Sequence, residues 1–204
     1  MPITIIDYNV GNIQSIVNML RKIGHATLVT RDPEKIRAAD KLLLPGVGAF
    51  DYGMEQLKTS GLISVIREQV LVRKIPVLGI CLGAQLFLSG SEEGKLDGLD
   101  VIPGKVIRFK AINAEMKIPH MGWNDVLVKK QSPLFEGLEK DSRFYFVHSF
   151  HFQMELESDI LTTCEYGYNF TSSFSRNNIY GVQFHPEKSH KFGMRLLRNF
   201  AENC

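Results

Sequence analysis

Residues 76–83 read Pro-Val-Leu-Gly-Ile-Cys-Leu-Gly, and this segment narrows the possible folds more than any other. Val77, Leu78 and Ile80 are apolar regardless of which way they point, so both faces of the strand they form must be covered, as in the centre of a parallel sheet. The strand runs straight into Gly79-Ile80-Cys81-Leu82-Gly83, a Gly-x-Cys-x-Gly sequence followed by an apolar helical segment. A turn of this kind is sharp. Glycines flank its central residue because neighbouring side chains would collide, and the helix that follows offers backbone N–H groups and a partial positive charge. Cys81 therefore stands where a nucleophile would stand, and a helix N-terminus favours its thiolate over the free-thiol pKa of about 8.5. The competing reading is a structural cysteine buried between packing glycines. The strand-turn-helix context favours the functional one.

The first half of the chain repeats the same alternation. Strands are expected at Ile3 to Asp7, Ala26 to Thr30, Lys41 to Leu44 and Pro76 to Ile80. Between them, Ile13, Ile16, Val17, Leu20 and Ile23 recur at helical spacing before a stop at Gly24, and Asp32-Pro33-Glu34 has the cap, first-turn proline and acid of a helix start. Leu62, Ile63, Ile66, Val70 and Leu71 form a further helical stripe. The alternation predicts an α/β fold with an open, mostly parallel central sheet and helices on both faces. From Val101 onward, shorter alternating segments at Lys105 to Phe109, Asp125 to Val128 and Arg143 to Val147 predict antiparallel strands in the C-terminal half, and Ser189 to Ala201 predicts a closing helix. With 204 residues and no repeat, low-complexity tract or linker, residues 1–204 are expected to form one domain.

Composition adds mostly exclusions. The 24 Lys and Arg against 22 Asp and Glu leave a formal charge of +2, with no field that speaks for nucleic acid or an anionic membrane surface. Three cysteines, Cys81, Cys164 and Cys204, make neither a disulfide framework nor a zinc spacing. Cys164 reads as a buried strand residue and Cys204 as an incidental terminal thiol. No apolar stretch approaches the roughly 20 residues of a membrane span, and the N-terminus lacks the form of a signal peptide, so a cytoplasmic location is expected.

A cysteine nucleophile needs a base. Gln183-Phe184-His185-Pro186-Glu187 supplies one, since proline keeps the residue before it extended and residues two apart then point the same way. Glu187 can thus fix the tautomer of His185 and stabilise its protonated form. On its own the tripeptide would read as a surface turn. Leu44-Pro45-Gly46-Val47-Gly48-Ala49-Phe50 is a glycine-rich turn at the C-terminal end of a strand, where open parallel sheets build their sites. Its N–H groups, with that of Leu82, could hold an oxyanion. No Gly-Lys-Ser/Thr follows, which excludes a phosphate loop, and His148 and His151 lack a ligand pattern for metal.

Together these motifs resemble the class I, or triad, glutamine amidotransferases. The segments Asp7 to Asn12, Pro45 to Phe50, Gly79 to Gly83, Pro119-His120-Met121-Gly122-Trp123-Asn124, Tyr145 to Ser149 and His185 to Ser189 are similar, in order and nearly end to end, to the branch that serves as glutaminase subunits of imidazole glycerol phosphate synthases. The resemblance implies that Cys81 attacks the glutamine amide, His185 moves protons and Glu187 orients His185. It implies that Val47, Gly48, Leu82, Gln85, Ser149 and Phe150 hold the oxyanion or substrate, and that Asn12, Trp123 and Lys188 lie at a partner interface and ammonia exit. Without the resemblance, Lys188 reads as an exposed charge, His190 as a surface residue and Trp123 as a core aromatic. The sequence departs from relatives at Ala84, where a bulkier apolar residue is common and extra space beside the turn is expected, and at Phe150, where tyrosine is common.

The resemblance further implies no cofactor and a separate cyclase of (β/α)₈ barrel fold, paired as a heterodimer, that takes ammonia into histidine biosynthesis. Two alternatives stay open. The same glutaminase could serve a sugar amidotransferase of surface-polysaccharide synthesis, which the tail from His185 to Arg195 resembles, or the chain could be a catalytically silent glutamine-binding regulatory protein.

Overall fold

The computed structural model describes residues 2–138 and 142–204. In chain order the elements begin with β1 (Ile3–Ile6), α1 (Ile13–Lys22), β2 (Thr27–Thr30), α2 (Pro33–Arg37), β3 (Leu42–Leu44), α3 (Phe50–Thr59), α4 (Ile63–Arg67), β4 (Val77–Ile80) and α5 (Leu82–Gln85). They continue with β5 (Gly104–Arg108), β6 (His120–Asp125), β7 (Leu127–Val128), β8 (Arg143–His148), β9 (Phe150–Met154), β10 (Ile160–Tyr166), β11 (Tyr168–Arg176), β12 (Ile179–Val182) and α6 (His190–Asn203).

Among the described residues ten strands share one sheet along the path β2-β1-β3-β4-β12-β11-β10-β7, with β9 joined to β11 and β5 to β9. The first five strands of that path pair in parallel and the rest antiparallel, which is the predicted division. Two features differ from the sequence reading. A fifth parallel strand, β12, comes from far along the chain and pairs residue for residue with β4. It is only four residues long and includes Gly181, so it gives almost no periodic signal. The expected strand at Asp125 to Val128 is instead the end of β6 and the short β7, which belong to different sheets, because among the described residues β6 pairs only with β8.

Side-chain alternation sorts the parallel strands into two cores. Ile6, Leu42, Leu44 and Val77 point to one face, covered by Phe50, Met54 and Leu57 of α3 and by Val65 and Ile66 of α4. Ile3, Ile5, Leu43, Leu78 and Ile80 point to the other, covered by Ile16, Val17 and Leu20 of α1 and by Leu196, Leu197 and Phe200 of α6. Asp32 caps α2 as expected, accepting from the Glu34 N–H at 3.0 Å, with Pro33 in the first turn. The stripe after Leu62 buries Ile66 and Val70 but leaves Leu71 exposed, because the segment Glu68–Val72 widens to a π-helical turn and rotates the face.

The elbow after β4 and the turn after β3 fit together without room for a side chain. A Cβ on Gly83 would lie 2.8 Å from the Leu44 carbonyl carbon and 3.0 Å from the Pro45 carbonyl carbon, and a Cβ on Gly46 would lie 2.7 Å from the Leu82 Cβ. The obstacles are backbone atoms or atoms fixed to them and cannot move aside. Gly83→Ala is expected to lower stability by about 1–3 kcal/mol through overpacking, read as a lower denaturant midpoint at unchanged slope. An unchanged midpoint would mean that the two turns are not locked together.

Candidate active site

Cys81 sits at φ 52° and ψ −113°, in the left-handed half of backbone space that residues with a side chain seldom occupy. Its N–H donates to the Val182 carbonyl at 2.8 Å, so the end of β12 pins the elbow from one side while β3 flanks β4 on the other. The helix after it, α5, is a single turn of four residues. The apolar helical segment expected after the elbow is thus no more than one turn, and positioning of Cys81 rests on the strained turn.

The chain from β12 leads directly to the base. His185 keeps an extended backbone, φ −102° and ψ 95°, and Pro186–Lys188 then turn as a short 3₁₀ helix. This returns Glu187 to the ring, where Oε1 accepts from Nδ1 of His185 at 2.8 Å, with both side chains buried. Burial works against a proton on His185, but the Cys81 sulfur and the Glu187 carboxylate outweigh it and push the ring's pKa up from 6.5 to about 10. Nε2 of His185 is buried without a hydrogen-bond partner among the described residues. The charge of Cys81 therefore acts on the ring, and at neutral pH Nε2 carries a proton that no other described residue takes.

Cys81 and His185 line one cavity of about 680 Å³ together with Asn12, Val47, Gly48, Leu82, Gln85, Ser149, Phe150 and Lys188. Ten of the twelve sequence-predicted site residues therefore meet in one space. Glu187 lies behind His185 instead of in the lining. Trp123 lies outside it and is 41% exposed, which overturns the core reading. Its indole stacks on His190 at 5.1 Å and meets Tyr145 edge-on, and Lys188 lies 5.5 Å above that same Tyr145 ring. A larger cavity of about 980 Å³, lined between Val126 and Leu138 and by Asn203, has no cysteine or histidine in its described wall.

The turn after β3 is exposed at Val47, Gly48 and Ala49, with Gly48 at φ 107°. Among the described residues no protein acceptor takes the N–H of Val47 or Gly48. That leaves two donors beside the elbow, where the N–H of Leu82 at the first helical position is also uncommitted by helix geometry. Behind the turn, Tyr8 donates to the Pro45 carbonyl at 2.6 Å, and burial, with the charge of Cys81, raises the phenol's pKa so that it stays a donor.

Sequence reasoning missed three contributors. Tyr8 is one. Gln183, fully buried, donates from Nε2 to the Cys81 sulfur at 3.6 Å while its Oε1 accepts from Gln85 Nε2 at 3.0 Å. The amide nitrogen of Gln85 is therefore committed to Gln183. Glu93 also lines the cavity, its carboxylate accepting from the Phe50 N–H at 2.9 Å. Neither Gln183 nor Glu93 follows a periodic pattern, and only the Gln183-Phe184-His185 adjacency could have marked the first. Cys164 lies on β10, 2% exposed, with its thiol pushed up to about 12 by burial. Ala84 is fully buried against Gly79, so no free space opens beside the elbow at that position.

Residues 4–204 match the family model described as glutamine amidotransferase class-I. The chain is 54% identical over 202 residues to the imidazole glycerol phosphate synthase subunit HisH 2 of Methanococcus maripaludis, covering 99% of this chain and 100% of that one. It is 48% identical over 200 residues to subunit HisH 2 of Pseudomonas aeruginosa, covering 98% of each. Among solved structures, one described as a glutamine amidotransferase superposes with a TM-score of 0.76 at 20% identity over 98% of this chain and 97% of that one. A glutamine amidotransferase from Thermotoga maritima superposes with a TM-score of 0.63 at 20% identity, covering 99% of this chain and 83% of that one.

Removing the negative charge that faces Nδ1 must weaken the hold of His185 on its proton. Glu187→Gln is expected to lower the His185 pKa, followed by ring ¹H–¹⁵N correlation spectra across a pH titration. An unshifted titration would show that Glu187 does not govern the ring.

Proposed function

The chain belongs to the class-I glutamine amidotransferases, and from that premise we propose that it is the glutaminase subunit of an imidazole glycerol phosphate synthase, acting as one domain over residues 1–204. The observation that carries this is a cysteine held at φ 52° in the same cavity as an imidazole fixed by a buried carboxylate at 2.8 Å. The near full-length identity to subunits of that name supports the pathway.

The chemistry follows from the placement. The Cys81 sulfur attacks the side-chain amide carbon of glutamine, and the negative charge that develops on the oxygen meets the N–H groups of Val47 or Gly48 and Leu82. The carbon–nitrogen bond breaks as His185 delivers a proton to the leaving nitrogen, so ammonia departs and a γ-glutamyl thioester remains. His185 then takes a proton from water, whose oxygen displaces the sulfur and yields glutamate. Glu187 keeps Nδ1 protonated throughout and holds the ring in register. At the other end of the substrate, Glu93 suits the α-ammonium, and the main chain at Ser149 and Phe150 holds the rest. Gln85 contributes by fixing Gln183 against the sulfur. No step needs a metal or cofactor.

Ammonia released into neutral water is mostly protonated and loses the lone pair it needs. The reading therefore includes delivery to a cyclase subunit of (β/α)₈ barrel fold in a cytoplasmic heterodimer. The exposed face of β6, with Met121 at 62% and Trp123 at 41% exposure, provides an aromatic anchor of the kind that dominates interfaces. Asn12 and Lys188 lie on the cavity lining, where ammonia would leave. Among the described residues no helix is long and apolar enough to cross a membrane. The tail from His185 to Arg195 motivates a second reading, in which the same glutaminase serves a surface-sugar amidotransferase.

Cys81→Ala is expected to abolish glutaminase activity with the fold intact, and a glutamine-like electrophile should modify Cys81 alone; modification of Cys164 instead would overturn the assignment. Turnover should be weak in isolation and rise at least about tenfold with the cyclase subunit, since the exposed turn at Val47 and Gly48 has few contacts to fix it. Rescue of a histidine auxotroph lacking its own glutaminase subunit supports the histidine pathway, and failure of a well-expressed chain to rescue favours the second reading.

A further inference from the structure

Two buried histidines lie beside the cavity and take no part in the chemistry above. His120 on β6 and His148 at the end of β8 are directly paired across the two-stranded ladder. Nδ1 of His120 is 3.0 Å from Nε2 of His148, and Nδ1 of His148 is 2.7 Å from the Phe150 carbonyl oxygen. A carbonyl oxygen only accepts, so Nδ1 of His148 carries a hydrogen. Burial holds His148 neutral against the pull of that carbonyl, with His120, His151 and His185 nearby adding to the effect, so its Nε2 is bare and accepts from Nδ1–H of His120. Each tautomer follows from the bond before it. The donation runs one way, from His120 to His148 to Phe150.

The rings cannot swing out of this line. His120 is stacked between Phe146 at 4.8 Å and Tyr166 at 4.1 Å, and His148 packs on Phe109 at 5.2 Å and Phe170 at 5.4 Å. What the line holds is a crossing point. β8 belongs to the two-stranded ladder and β9 to the ten-stranded sheet, and Ser149 alone connects them. The Ser149 carbonyl accepts from the Phe109 N–H at 3.0 Å, and the Phe150 carbonyl is held by His148. Ser149, Phe150 and His148 all line the cavity with Cys81. Two apolar rings would fill the same volume without the desolvation of four imidazole nitrogens, so the pair is better explained by direction than by packing.

We propose that His120 and His148 are positioning residues, whose hydrogen-bond line to the Phe150 carbonyl fixes the Ser149–Phe150 backbone in the conformation that binds the substrate glutamine. This rests on the cavity being the glutamine site. It also makes β6, whose outer face carries Met121 and Trp123, continuous through one side-chain line with the substrate-binding turn.

The test uses glutaminase kinetics of the full chain with its cyclase subunit. His120→Phe keeps the stacking and removes the donor, and it is expected to raise the KM for glutamine about tenfold while kcat changes less than about threefold. His120→Asn, which restores a donor near the position of Nδ1, is expected to recover most of the KM. An unchanged KM in the Phe variant, or an Asn variant no better than Phe at equal melting temperature, would overturn the proposal. Should the Phe variant fail to fold, His148→Asn and His148→Leu serve in its place: the Asn variant retains a donor to Phe150 and should bind glutamine better than the Leu variant, and equal KM values would count against the line. Absence of turnover in the unaltered protein would strike the glutamine reading itself, and this proposal with it.

Discussion

Cys81 holds a backbone conformation that costs a residue with a side chain about 1–3 kcal/mol, and the surrounding structure is arranged so that no other is open to it. Its N–H is fixed to the Val182 carbonyl at 2.8 Å. Gly83 lies against Leu44 and Pro45 too closely for a Cβ, and Gly46 lies as closely against Leu82. The chain therefore leaves β4 in a turn that lifts the sulfur above the C-terminal edge of the sheet, where the ends of β3 and β12 converge. The glycine-rich turn and His185 reach the sulfur because they extend from the two strands that flank β4.

Charge is handled by the same small set of neighbours. A buried imidazolium is costly unless it is paired on both sides, and His185 has Glu187 on one nitrogen and the Cys81 sulfur near the other. The sulfur in turn receives the Gln183 amide, which is held by Gln85, and the base of the turn that faces it is tied at the Pro45 carbonyl through the Tyr8 hydroxyl. Histidines close by, His120 and His148, are kept neutral by burial, so the positive charge is confined to the one ring that the chemistry uses.

What could be read beforehand and what could not divide along a physical line. The elbow was legible because Val77, Leu78 and Ile80 are apolar on both faces and the flanking glycines have a steric reason to be there. The His185–Glu187 pair was legible because proline fixes the backbone between them. Tyr8, Gln183 and Glu93 were not, because a polar residue inside a core leaves no periodic trace and its partner is remote in sequence, 37 residues away for Tyr8 and Pro45 and 102 for Gln183 and Cys81. β12 escaped for a similar reason, since its four residues become a strand only by pairing with β4. Trp123 was assigned to a partner interface by resemblance, whereas its residue type alone favoured the core; its stacking on exposed His190 shows how an aromatic can be ordered without being covered.

The central claim is that Cys81 forms a covalent bond to the substrate with His185 as proton carrier. Rapid acid quench of the protein with isotopically labelled glutamine, followed by mass spectrometry of its peptides, tests this directly. The account predicts a glutamyl group on the Cys81 peptide of the unaltered protein and little or none when His185 is replaced by asparagine, because without the ring no proton reaches the leaving nitrogen. Steady release of ammonia with no label on Cys81 at any time in either protein, or label on another cysteine, would contradict it.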